Sequence, residues 1–222
     1  MVAIVFVAVY SAAGVLAERR TPYDLQTRVD RMIPFLPWTA FVYISAFPGA
    51  FLPLFVVRCR RLLIRSAWAH VSVIVCSGIV FVLFPVHAVG LRTDAGILSP
   101  ARFADWLIGL IHSTDTVANL FPSLHVSLAT LTGATLWRAD RRHSLVLITG
   151  VLLLLVSTWT TKQHYIVDGI GGLAAGLCAA WLAFRSYRPA STQSPLLSPS
   201  AIGSYAIFHV GFLMVLYALF LA

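Results

Sequence analysis

The sequence predicts an all-α fold, a polytopic bundle of membrane-spanning helices, and three observations carry that expectation. Of 222 residues, 59% are hydrophobic and only 11% charged, with a mean hydropathy of +0.86, whereas soluble domains carry about a quarter charged residues. Apolar runs long enough to cross a bilayer recur along the chain, separated by polar stretches. Segments of about ten residues with alternating hydrophobicity, the mark of a transmembrane barrel, do not appear. The formal charge of +8 therefore reads as a matter of membrane topology and not of nucleic-acid binding.

Taken in order, the expected spans are residues 1–17, 38–57, 66–89, 121–137, 144–159, 164–184 and a last helix over 205–222. The first has no basic flank and no small-residue cleavage site before Glu18, so it reads as a retained helix. The Ser- and Pro-rich stretch 186–204 reads as a flexible linker. Between the third and fourth spans, Phe103, Trp106, Leu107, Leu110 and Ile111 follow helical spacing, with Arg102 and Asp105 off the stripe. Residues 101–112 are therefore expected to form a helix lying in the membrane interface. The three cysteines, Cys59, Cys76 and Cys178, have no spacing that signals a disulfide framework or a metal site.

The loops fall into two sets. Those at 58–65, 138–143 and 185–204 hold 9 of the 16 Lys and Arg residues in much less chain than the other set uses for 7. The positive-inside rule puts them in the cytoplasm. The opposite face is then extracytoplasmic or lumenal, and the expected setting is a bacterial cell membrane.

Two stretches share that opposite face. Ser157 to Asp168 reads S-T-W-T-T-K-Q-H-Y-I-V-D, with His164 and Asp168 four residues apart and hence on one helix face. A carboxylate there fixes one imidazole nitrogen as N–H and leaves the other free as base or nucleophile. Asp168 lies one turn inside an apolar segment, where an unpaired charge is expensive, and His164 is its natural partner. Upstream, F-P-S-L-H brings Pro122, Ser123 and His125 to a helix start. Proline suits a first turn, and free amides with a positive dipole end favour an anion. Lys162, the chain's single lysine, and Thr158 flank the histidine turn, and Arg92 follows the third span on the same face. Arg58 and Arg65 are set aside because their loop lies on the opposite face. Gly169, Gly171, Gly172 and Gly176 offer a small-residue face for close helix contact. The plainer alternative is a non-catalytic membrane protein in which His164 and Asp168 merely bridge helices.

The pair F-P-S-L-H and S-T-W-T-T-K-Q-H-Y-I-V-D resembles the second and third signature motifs of the type 2 phosphatidic acid phosphatase superfamily. N-x-F-P-S-L-H with H-Y-x-x-D is similar to its inositol phosphorylceramide synthase-like branch and, more distantly, to sphingomyelin synthases. The resemblance runs from about Asp30 to Gly176. It implies a six-helix catalytic core within residues 1–185, with the C-terminal helix an addition, and phosphoryl-transfer chemistry that needs no metal or other cofactor. It further implies His164 as nucleophile, Asp168 as its orienting acid and His125 as general acid. Ser123 would contact phosphate, with Pro122 and Thr158 lining the substrate site. The family's third motif often begins Ser-Arg, where this chain has Ser157-Thr158. Lys162 is expected to substitute for that charge, and Arg92 for the unmatched first motif. The implied activity is a metal-independent lipid phosphatase acting through a phosphohistidine, or else a phosphotransferase between lipids or alcohols. The implied partners are a membrane lipid phosphate and the bilayer, with no nucleic acid.

Overall fold

The computed structural model describes residues 1–93, 98–188 and 199–222. Among them the regular elements are helices, and strand-like pairing amounts to two isolated bridges, Tyr23 to Val86 and Val86 to Asn119. The first helix, α1 (Val2–Glu18), packs along α6 (Arg60–Leu83). Between them come a polar loop and the single turn α2 (Arg28–Met32), closed at its start by Thr27 and Asp30 in a reciprocal capping box. Helix α6 begins earlier than residue 66 and stops at Leu83, because Pro85 disfavours helical backbone at the residue before it.

Residues 38–57, expected to form one span, are instead broken. A 3-10 turn (Pro37–Thr39) is followed by α3 (Ala40–Ile44), α4 (Ala46–Gly49) and α5 (Leu52–Val56). The cause lies in Pro48 and Pro53. Each lacks an N–H and clashes with the carbonyl four residues back, so each sits within a new short helix and not inside a continuous one.

Beyond α7 (Val89–Thr93), α8 (Phe103–Thr114) arrives close to the expected place. Its apolar stripe does not lie free, however. Leu107, Ile108 and Ile111 are buried against Ala40, Tyr43 and Ile44 of α3 and against Leu216, Phe212 and Leu213 near the C-terminus. Asp105, expected on the polar side, is buried with Arg102 2.7 Å away and the Ser99 amide donating to it.

The centre of the bundle is α9 (Leu124–Ala139), which contacts α6, α10 (Ser144–Thr160) and α11 (Ile166–Phe184). Backbones approach closely where α9 meets α11. A Cβ added to Gly172 would stand 2.4 Å from the Ser123 carbonyl oxygen, and one on Gly176 2.6 Å from that of Ser127. The G-x-x-x-G face therefore serves the helix contact expected of it. Toward the middle of the bundle, His70 bonds the Ser66 carbonyl and Thr132, and Ser66 bonds Thr135, a closed polar group between α6 and α9.

The last helix, α12 (Pro199–Leu221), starts before residue 205, and residues 189–198 of the expected linker lie outside the described residues. It covers the broken segment: Phe208 packs on Phe51 and Phe55, and His209 bonds Ser45. Among the described residues, four helices are long and apolar enough to cross a membrane, Arg60–Leu83, Arg141–Thr160, Ile166–Phe184 and Ser200–Leu221, and Val2–Glu18 is a shorter apolar helix.

Candidate active site

The turn between α10 and α11 is built by side chains returning to their own backbone. Ser157, Thr158, Thr160 and Thr161 each donate a hydroxyl to a carbonyl three or four residues earlier, which satisfies the end of α10. The Thr158 carbonyl then accepts from the amides of both Gln163 and His164 at 3.0 and 3.1 Å. Thr158 thus shapes the turn, and its hydroxyl is committed to Leu155. Lys162 takes a φ of 57°, the left-handed conformation that costs a side-chain-bearing residue about 1 kcal/mol or more. That conformation folds its side chain back onto the loop after α1, where Nζ donates to the carbonyls of Asp30 (3.1 Å) and Ile33 (2.8 Å). Asp30 also accepts from the Ile166 amide. The lysine expected as a phosphate cation is thereby engaged by backbone oxygens.

His164 follows the turn, with Nδ1 3.6 Å from Oδ2 of Asp168, and both side chains are buried. That same Oδ2 accepts from the Tyr165 amide at 2.8 Å, which caps α11 and fixes the carboxylate. With Nδ1 facing Asp168, Nε2 is the nitrogen left to act on another molecule.

Ser123 joins the other stretch to this one. Its amide donates to the Asp168 carbonyl at 2.9 Å, and its hydroxyl oxygen caps α9 by accepting from Val126 at 3.5 Å. Pro122, expected in the first turn, stands one residue ahead of this cap, after a cis peptide bond. His125, the second residue of α9, faces His164 with ring centroids 6.1 Å apart and planes inclined at 61°. The two histidines, Asp168 and Ser123 therefore converge, as the two motifs predict. Arg92 reaches the same end of the bundle. Its Nη1 and Nη2 donate to the carbonyls of His112 (2.9 Å) and Asp115 (3.4 Å), while its Nε is buried without a partner. Burial, with the Arg92 charge adding to it, pushes the His112 imidazole down to about 4. Arg65 lies elsewhere, holding the Ala183 carbonyl at the far end of α11.

Several polar residues in this region carry no signal of their role in the sequence. The Tyr43 hydroxyl lies 3.2 Å from both ring nitrogens of His125 and 3.5 Å from Asp115, and Tyr10 bonds the other oxygen of Asp115. Tyr10 and Tyr43 sit inside apolar runs with no polar period around them. Asp115 stands just outside the motif, and only its closeness to Asn119 and Ser123 marks it.

A family model described as the PAP2 superfamily matches residues 24–182. The chain belongs to the PAP2 superfamily, whose chemistry is of the phosphatase or phosphotransferase type. No curated protein and no solved structure matches it significantly.

Proposed function

We propose that the protein is an integral-membrane lipid phosphatase that works without a metal through a phosphohistidine intermediate. The observation that carries this reading is the convergence of His164, paired with buried Asp168, and His125 from a different helix. In the first half-reaction His164 Nε2 attacks phosphorus, a P–N bond forms, and the P–O bond to the lipid alcohol breaks. His125 gives its proton to the departing oxygen, and Asp168 stabilises the His164 ring as it becomes cationic. In the second, water attacks phosphorus, His125 takes its proton, and the P–N bond breaks to release phosphate. Ser123 and the start of α9 contribute donors to the phosphoryl oxygens, with Pro122 and Thr158 shaping the wall around them. Arg92 Nε and the remaining N–H of Lys162 supply positive charge.

A second reading makes the acceptor an alcohol, so that a headgroup is moved between lipids as in the inositol phosphorylceramide synthase-like branch. What favours it is the engagement of Lys162 and Arg92 by carbonyl oxygens. A phosphodiester carries less charge than a phosphomonoester and needs fewer free cations.

Phosphate release from phosphatidic acid in detergent with EDTA tests both readings, comparing wild type with His164→Ala. Release by wild type alone supports the phosphatase. Headgroup exchange that needs His164, without release, supports the transferase. Activity retained by His164→Ala overturns the phosphohistidine.

A further inference from the structure

Each histidine of the site meets a carboxylate, but by different routes. Asp168 stands directly beside His164. His125 has no acid at its edge; it has the hydroxyl of Tyr43, 3.2 Å from either ring nitrogen. That hydroxyl stands 3.5 Å from Oδ2 of Asp115, whose Oδ1 is held by the Tyr10 hydroxyl. The rings of Tyr43 and His125 lie 4.9 Å apart, and Phe47 packs on the other side of the imidazole at 5.6 Å. The histidine is thus lodged between two aromatic rings, with one polar contact from Tyr43.

The elements around Asp115 are arranged to keep it in place. Tyr10 comes from α1, and its own carbonyl accepts from the Asn119 side chain at 2.8 Å. Tyr43 comes from α3, and the Arg92 guanidinium of α7 donates to the Asp115 carbonyl. His112 lies one turn back on α8. These, with His125 and His164, are the titratable and charged groups of this neighbourhood. Tyr43 is 1% exposed and fully enclosed, so its hydroxyl has no solvent to satisfy it and depends on these partners.

We infer that Tyr43 and Asp115 are positioning residues for His125: Asp115, acting through the Tyr43 hydroxyl, orients the imidazole and stabilises its protonated form. The inference rests on the phosphohistidine reading, in which His125 protonates the leaving alcohol. The Tyr43 O–H is turned toward the Asp115 carboxylate, and its oxygen, equidistant from the two ring nitrogens, sets negative charge density against the protonated ring while leaving an N–H to serve the leaving oxygen. When that proton is given up and the P–O bond breaks, the ring becomes neutral and can accept a proton from the incoming hydroxyl. Tyr43 and Asp115 keep their protonation states throughout, so no further acid or base is required.

The test exploits leaving groups that differ in their need for a proton. A lipid alcohol departs only when protonated, whereas p-nitrophenolate departs unaided. The measurement is kcat/KM, which reports steps up to departure, on phosphatidic acid and on p-nitrophenyl phosphate. Wild type, Tyr43→Phe, Asp115→Asn, the double variant and His164→Ala are compared. Tyr43→Phe and Asp115→Asn are expected to lose roughly 10- to 100-fold on phosphatidic acid, somewhat less than the loss of a whole general acid. Both should stay within about threefold of wild type on the nitrophenyl ester, and the double variant should be no worse than either alone. His164→Ala should lose both activities. Retained nitrophenyl activity also certifies that the variants fold. Equal losses on the two substrates, multiplied losses in the double variant, or no loss at all would each overturn the role given to Tyr43 and Asp115. A wild type inactive on both substrates would overturn the phosphatase reading itself, and this inference with it.

Discussion

The amide of Ser123 donates to the carbonyl of Asp168 at 2.9 Å, so the start of α9 and the start of α11 are bonded to each other at the site. This bond exists because Gly172 lets the two helices touch. A methyl group on Gly172 would meet the Ser123 carbonyl oxygen at 2.4 Å, a backbone atom that cannot turn aside. Gly172→Ala is therefore expected to push α9 from α11, destabilise the protein by about 1–3 kcal/mol and depress activity. Gly150→Ala in α10, whose new Cβ would meet nothing within 4 Å, is expected to be neutral or stabilising by up to about 1 kcal/mol. Thermal unfolding in detergent compares the two.

Replacing Asp168 by asparagine keeps an oxygen to accept from the Tyr165 amide. It removes the charge that steadies a cationic His164. Turnover should fall by roughly 10²- to 10⁴-fold while the melting temperature changes little. A comparable loss of stability would make Asp168 a structural residue.

Lys162 separates backbone strain from hydrogen bonding. Both Lys162→Ala and Lys162→Gly lose the bonds to the Asp30 and Ile33 carbonyls. Only glycine adopts a φ of 57° at no steric cost. The glycine variant should therefore be more stable than the alanine variant by about 1 kcal/mol, read by thermal unfolding. A raised KM in Lys162→Gly, at unchanged stability, would instead mark the ammonium as a substrate contact.

His112 gives a pH dependence. Its ordinary pKa near 6.5 falls to about 4 in the folded protein, through burial first and the Arg92 charge second. Between these values the unfolded chain binds the proton and the folded one does not, so stability rises with pH there. The contribution of the neutral ring is complete above pH 6.5 and is lost progressively as pH falls toward 4. His112→Gln should flatten this part of the stability profile, measured by unfolding across that range.

The sequence announces some of this molecule more readily than the rest. His164 and Asp168 are legible as a pair from their four-residue separation. His164, however, lies in the turn before α11, which starts at Ile166 and not at 164, so the two meet across the helix cap and not along one helix face. Ser123 and His125 are legible because they follow a recognisable helix start. The broken segment at 38–57 was not, since its hydrophobicity matches a single span and only the two prolines argue against one. Tyr43, Tyr10 and Asp115 come from three separate elements, and no local period relates residues so far apart. The sequence presents Lys162 as a cation beside the histidine turn. Its left-handed backbone, which sends two of its three N–H groups to the Asp30 loop, leaves no sign in its neighbours.

That lysine also fixes an order of events. Its ammonium binds carbonyls made 129 and 132 residues earlier in the chain. At a synthesis rate of about 5–20 residues per second, the loop holding Asp30 waits on the order of ten seconds for its partner to be made. The histidine turn is thus a closing joint between early and late parts of the polypeptide. Until Lys162 arrives, a half-made chain lacks the ammonium that the Asp30 and Ile33 carbonyls accept from, so this loop is tied to the histidine turn only when most of the bundle has been made.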